Sequence, residues 1–201
     1  MKILFQLIFL SLFLNCIYSG YVKVQYYQIN DYTCKNEMTV IHYRTTDLCN
    51  QATGIMYTCD AANNNITRTQ YYGTNCQGGF ESMNLKANTC SNDYGTTSNV
   101  KYSCSEDYDI GSDSIVNYLT NGQCPDSDPN WKEDIIQVAS LGLNECTYTA
   151  VGSIKTTSCN DTSYDESYYL SNDSCPNAIF SHSIPFPECD KQTPEIYYCN
   201  S

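Results

Sequence analysis

Twelve cysteines in a repeating pattern constrain this chain more than any other feature. Beyond residue 20 they fall at Cys34, Cys49, Cys59, Cys76, Cys90, Cys104, Cys124, Cys146, Cys159, Cys175, Cys189 and Cys199. They form four groups of three, and each group opens on tyrosine. Tyr26-Tyr27 precedes Cys34, and Tyr71-Tyr72-Gly73-Thr74-Asn75 precedes Cys76. Tyr118-Leu119-Thr120-Asn121-Gly122-Gln123 precedes Cys124, and Tyr168-Tyr169-Leu170-Ser171-Asn172-Asp173-Ser174 precedes Cys175. The last cysteine of each group ends an apolar stretch with Tyr or Thr, as in Met56-Tyr57-Thr58-Cys59 and Val100-Lys101-Tyr102-Ser103-Cys104. A quasi-period of about 40–50 residues is the mark of one supersecondary unit used several times.

Three cysteines per group is an odd number, so no group can close its own bridges. The first two groups together supply six, and so do the last two. Matched cysteines of the two sets lie 90, 97, 100, 99, 99 and 95 residues apart. This predicts two similar halves with three disulfides each. Six cysteines allow 15 pairings, and spacing does not choose among them.

Met1-Lys2 and the apolar run Ile3–Leu14 have signal-peptide form, with small residues at Ser19 and Gly20 for cleavage. Removal of residues 1–19 takes the thirteenth cysteine, Cys16, and leaves an even twelve in an oxidising route. The expected organisation is a signal peptide 1–19, a first Cys-rich β half 20–105, an acidic linker 106–113 and a second half 114–201. The chain has net charge −12 and only 10 Lys+Arg, so it has no electrostatic footprint for nucleic acid or anionic lipid. No membrane span and no lipid-anchor tail are expected. The expected location is secreted and extracellular. Aliphatic residues are scarce, but the chain has 19 tyrosines, each able to bury a ring while its hydroxyl stays hydrogen-bonded. Disulfides are expected to decide stability, with reduction unfolding the chain.

The predicted fold class is all-β. Alternating or β-branched stretches mark strands at 22–26, 38–43, 54–59, 66–72, 80–85 and 99–104, then 114–119, 154–159, 164–170, 178–182 and 195–199. One segment is ambiguous. Asp128-Pro129-Asn130-Trp131 and the following Ile135, Val138 and Gly142 suit a short helix near 130–141, whereas the matching piece of the first half reads as a strand. Asn65, Asn160 and Asn172 head glycosylation triplets in expected loops.

Catalytic signals are absent. His42 and His182 are the two histidines, and neither sits in a motif with a nucleophile. Every mature cysteine is better used in a bridge than in zinc or thiolate chemistry. Asp126-Ser127-Asp128-Pro129-Asn130 begins like a calcium loop but lacks its glycine and terminal glutamate, and Asp107, Asp109 and Asp113 read as a solvated acidic turn. No catalytic residue, metal or cofactor is expected.

The repeated elements, carried by Tyr26-Tyr27, Tyr71-Tyr72-Gly73, Tyr57-Thr58-Cys59 and Tyr102-Ser103-Cys104, resemble the counting factor-associated proteins of social amoebae over nearly the whole mature chain. The resemblance implies a secreted factor linked to cell–cell signalling and group-size control, with no catalytic residues to carry over. The third group, with Trp131 and its long insertion, departs most from the pattern. The leading expectation is an extracellular binding or signalling-associated factor with a protein or glycan partner. The alternatives are a secreted enzyme inhibitor, a lectin-like carbohydrate binder, or a structural matrix or coat component.

Overall fold

The structure is a computed structural model and describes residues 20–27, 31–35, 38–92, 99–149, 152–170, 175–190 and 194–200. Residues 1–19, expected to be a signal peptide and holding Cys16, and Asn172, an expected glycosylation position, lie outside the described residues. The first half holds β1 (Tyr21–Tyr27), β2 (Met38–Thr45), β3 (Ile55–Asp60), β4 (Asn65–Tyr71), β5 (Phe80–Lys86), β6 (Cys90–Asn92) and β7 (Asn99–Ser105). The second holds β8 (Ser114–Thr120), β9 (Ile135–Gly142), β10 (Cys146–Thr149), β11 (Gly152–Cys159), β12 (Ser163–Tyr169), β13 (Phe180–Pro185) and β14 (Glu195–Asn200). Helical structure among the described residues is confined to short 3-10 turns at Thr74–Cys76 and Trp131–Asp134.

The strands make one large sheet, ordered β14-β8-β9-β2-β1-β7-β6, and two small ones, β3-β4-β5 and β10-β11-β12-β13. Each half repeats one plan. In both, the first strand lies between the second and the last (β2-β1-β7 and β9-β8-β14), and the three long middle strands form a separate antiparallel sheet (β3-β4-β5 and β11-β12-β13). The bridges repeat as well. Cys34–Cys90, Cys49–Cys76 and Cys59–Cys104 pair the first half's cysteines first to fifth, second to fourth and third to sixth. Cys124–Cys189, Cys146–Cys175 and Cys159–Cys199 follow the same order. Every bridge joins one group of three to the next, where the odd count alone requires only one such bridge in each half.

The halves meet where β2 pairs with β9. Val22 lies opposite Cys104 and Ile115 opposite Cys199, so these two are equivalent. Their partners on the next strand, Arg44 and Leu141, are therefore equivalent too. Two residues back from each stand His42 and Ala139, and these are paired across the seam. A pseudo-two-fold axis thus crosses the sheet at His42 and Ala139, relating the pair Ile41–Ser140 to the pair Val138–Tyr43.

The segment that reads as helix or strand is a strand, and the helix near 130–141 shrinks to the turn Trp131–Asp134. Ile135, Ile136, Gln137 and Val138 are all buried, because β9 is hydrogen-bonded on both edges and covered on both faces. A surface helix buries one stripe, so it would leave part of this run in water. The stretch 106–113 packs onto the seam. Tyr108 and Ile110 join a core of Tyr43, Val116, Trp131, Ile135, Val138 and Ile196, and the Tyr43 hydroxyl donates to the Asp109 carbonyl at 3.2 Å. The short strands β6 and β10 have no strand signal in the sequence; each borders a longer neighbour that supplies the pairing.

The two small sheets are held differently. Beneath β3-β4-β5 lies an apolar core of Val22, Val24, Ile66, Ala87, Val100 and Tyr102. Between β12 and β14 the contact is aromatic: Phe186 stacks on Tyr164 at 5.7 Å and on Tyr197 at 5.5 Å. The sheet of the second half therefore leans more on its bridge. Replacing Cys159 and Cys199 by alanine should cost about 2–4 kcal/mol and raise hydrogen exchange across residues 152–185. The same change at Cys59 and Cys104 should leave 55–86 better protected, because Ile66 and its neighbours stay buried; equal exchange in the two variants would contradict this.

His42 gives a second prediction. Burial, and then the charge of Arg44, push its pKa down from 6.5 to about 4. The folded chain therefore holds it neutral while the unfolded chain takes up a proton below about pH 6.5. Stability present above pH 6.5 is lost as pH falls toward 4, by about 3 kcal/mol at most. Denaturant titration of His42→Phe should show a flatter dependence over pH 4–6.5 than the natural chain; an unchanged slope would contradict the assignment.

Candidate binding surface

The third cysteine of each half marks an equivalent rung in the two small sheets. Cys59 lies opposite Ile66, which lies opposite Leu85. Cys159 lies opposite Tyr164, which lies opposite Ile184. Alternation then places Arg68, Gln70, Met83 and Glu81 on the same face in the first half, and Glu166, Tyr168, His182 and Phe180 at the corresponding positions in the second. The skeleton is shared, but the chemistry has diverged.

In the second half this end of the sheet carries an aromatic cluster. The rings of Tyr168 and Phe180, cross-strand partners, stack at 4.5 Å with 3° between their planes. His182 lies 5.5 Å from Tyr168 and 5.6 Å from Phe180, nearly parallel to both. The Tyr168 hydroxyl donates to Glu166 Oε2 at 2.8 Å, and that hydrogen bond is the main cause of its raised pKa. Phe180 is 51% exposed, and the neighbouring Ile179 and Leu170 are 56% and 75% exposed. These exposed apolar side chains lie near the Glu166 carboxylate that holds Tyr168. Toward β14 lies the half-buried stack of Tyr164, Phe186 and Tyr197, with the Tyr197 hydroxyl donating to Glu195. The exposed cluster therefore stands on a rigid base.

A glycine closes the base of the small sheet in both halves. Gly54 and Gly152 have positive φ, and a Cβ at either would collide with the carbonyl of Tyr71 or Tyr169. Only glycine fits that approach without strain.

The residues singled out in the sequence fall as follows. All twelve cysteines are bridged. Asn160 sits in an exposed turn, where its Oδ1 accepts from the Thr162 and Ser163 amides. Asn65 is the first residue of β4 rather than a loop residue, paired with Asp60 and Lys86. His42 packs against Tyr26 at 5.0 Å, with no partner for its buried Nδ1. His182 belongs to the aromatic cluster. Asp109 and Asp113 line an open cleft of about 800 Å³ at the seam, with Glu145 on its other wall. Among the described residues no three His, Cys, Asp or Glu side chains gather as a metal site. Sequence reasoning missed the aromatic cluster, because Tyr168 and Phe180 meet only through the β12–β13 register.

No curated protein and no solved structure matches the chain. The profile of the counting factor-associated protein A/B/C family matches residues 1–201, its whole length. The Tyr/Cys repeats that suggested the resemblance are the same elements that build the two bridged halves. The chain belongs to the counting factor-associated protein A/B/C family.

Proposed function

We propose that this chain is a secreted extracellular factor associated with cell–cell signalling and group-size control, acting by binding rather than by catalysis. The observation that carries this reading is the family match across all 201 residues. Six disulfides suit an oxidising compartment, and none of the described helices is long and apolar enough to cross a membrane. The non-enzymatic part rests on side-chain use. The bridged cysteines offer no thiolate, and His42 packs against Tyr26 with its Nδ1 buried.

The partner meets the aromatic cluster of Tyr168, Phe180 and His182. An exposed phenylalanine stacked on a half-buried tyrosine of a rigid sheet gives contact area at low entropic cost, as interface anchors do. A lectin-like reading comes second, favoured by Glu166: aromatic faces take up the apolar side of a sugar, and a carboxylate accepts from its hydroxyls.

Purified protein added to aggregating social amoebae tests both readings. The natural sequence should change group size. A Tyr168→Ser/Phe180→Ser variant with an unchanged melting temperature should lose most of that effect. Free monosaccharide should block the effect only in the lectin-like case. Equal activity of the two proteins, or activity in neither, would overturn the proposal.

A further inference from the structure

The chain has two arginines, Arg44 and Arg68, and the fold gathers them around one tyrosine in the first half. Arg44 stands on β2, level with Val22 of β1 and Gln137 of β9. With Tyr57 and Ile55 of β3, Asn50, Thr53 and Ile136, it lines a cleft of about 110 Å³. Arg68 is the cross-strand partner of Tyr57. At about 30 Å³ per water, the space equals three or four waters, or one small oxyanion.

The electrostatics of this cleft are unusual for so acidic a chain. The sequence has 22 acidic residues, yet Arg44 has no carboxylate partner among the described residues, and its buried Nε–H has no acceptor. A buried donor left unpaired costs about 1–3 kcal/mol, and a charge withdrawn from water is normally paired. The second guanidinium is braced in place. Arg68 donates to Gln70 Oε1 at 3.1 Å, and Gln70 donates in turn to the Thr53 carbonyl at 2.7 Å, at the rim of the cleft. Thr53 is exposed, so the cleft opens to solvent on its side.

We propose that this cleft is an oxyanion site, in which the Arg44 guanidinium binds a sulfate, phosphate or carboxylate group of an extracellular ligand and Arg68 adds supporting charge. A guanidinium fork suits such groups because it offers parallel N–H donors to two oxygens. The negative field of the remaining surface repels polyanions in general, so binding is confined to a small group that reaches into the cleft. The site is independent of the aromatic cluster, which lies in the other half.

The test uses the ¹⁵N-labelled protein, whose two Arg Nε–Hε resonances are assigned with Arg44→Lys and Arg68→Lys. Sodium sulfate, phosphate and acetate are titrated separately, against chloride at constant ionic strength. At least one should move the Arg44 resonance saturably and the Arg68 resonance less. The anion that does so tells sulfate ester, phosphate and carboxylate ligands apart. His42 should titrate at higher pH in its presence, because the bound charge offsets that of Arg44. Arg44→Met should weaken binding about tenfold or more; if it does not fold, Arg44→Lys, which keeps the charge but loses the fork, should weaken it several-fold. No saturable shift with any of the three anions, or undiminished binding by the folded variant, would overturn the proposal.

Discussion

The covalent link between layers is the constraint on which the rest of this structure depends. In each half the third cysteine, at the end of the first long strand of a small sheet, is tied to the sixth, on the last strand of that half. That bridge sets the rung from which the faces of both sheets are counted. It places Ile66 over Val22 and Val100 in the first half, and it brings Tyr164 and Tyr197 to either side of Phe186 in the second. The core is thin because the chain is poor in aliphatic side chains, and small cores of this kind need cross-links to offset chain entropy.

The seam between β2 and β9 makes one sheet of the two halves. Its pseudo-two-fold character puts equivalent residues on opposite sides of one axis, where they are free to differ. Tyr43 fills the position that Ser140 holds in the other half, and Val138 the position of Ile41. Larger differences lie at the exposed end of each small sheet. Arg68, Gln70, Met83 and Glu81 answer to Glu166, Tyr168, His182 and Phe180. At these positions one half carries Arg68 hydrogen-bonded to Gln70, and the other an aromatic cluster beside a carboxylate, on the same bridged frame. Strands fixed by bridges tolerate such change because the altered side chains contribute little to holding the sheets together.

Much of the frame is legible in the residues themselves. The odd cysteine count per group forces bridges between groups, and the near-constant offset between the two sets marks the halves. Most strands follow from alternation and β-branching. The pairing order is not legible, since it depends on how strands return through space. Ile135–Gly142 misleads because a strand buried on both faces loses the two-residue alternation that identifies one. Tyr108 and Ile110 are hidden in an acidic stretch, although their side chains pack on the seam. The acceptor triplet at Asn65 does not distinguish a loop from the first residue of a strand, which is where Asn65 stands. The aromatic cluster and the Arg44 cleft depend on register between residues 12 or more apart, which spacing alone does not fix.

The central claim is that both halves close their bridges in one order, first to fifth, second to fourth and third to sixth. Non-reducing proteolysis of the natural product, followed by mass spectrometry of the linked peptides, tests it most directly. The account predicts linked peptides joining Cys34 to Cys90, Cys49 to Cys76 and Cys59 to Cys104, with the matching three in residues 124–199. A bridge between a cysteine before residue 105 and one after residue 120, or a different order in either half, would contradict it.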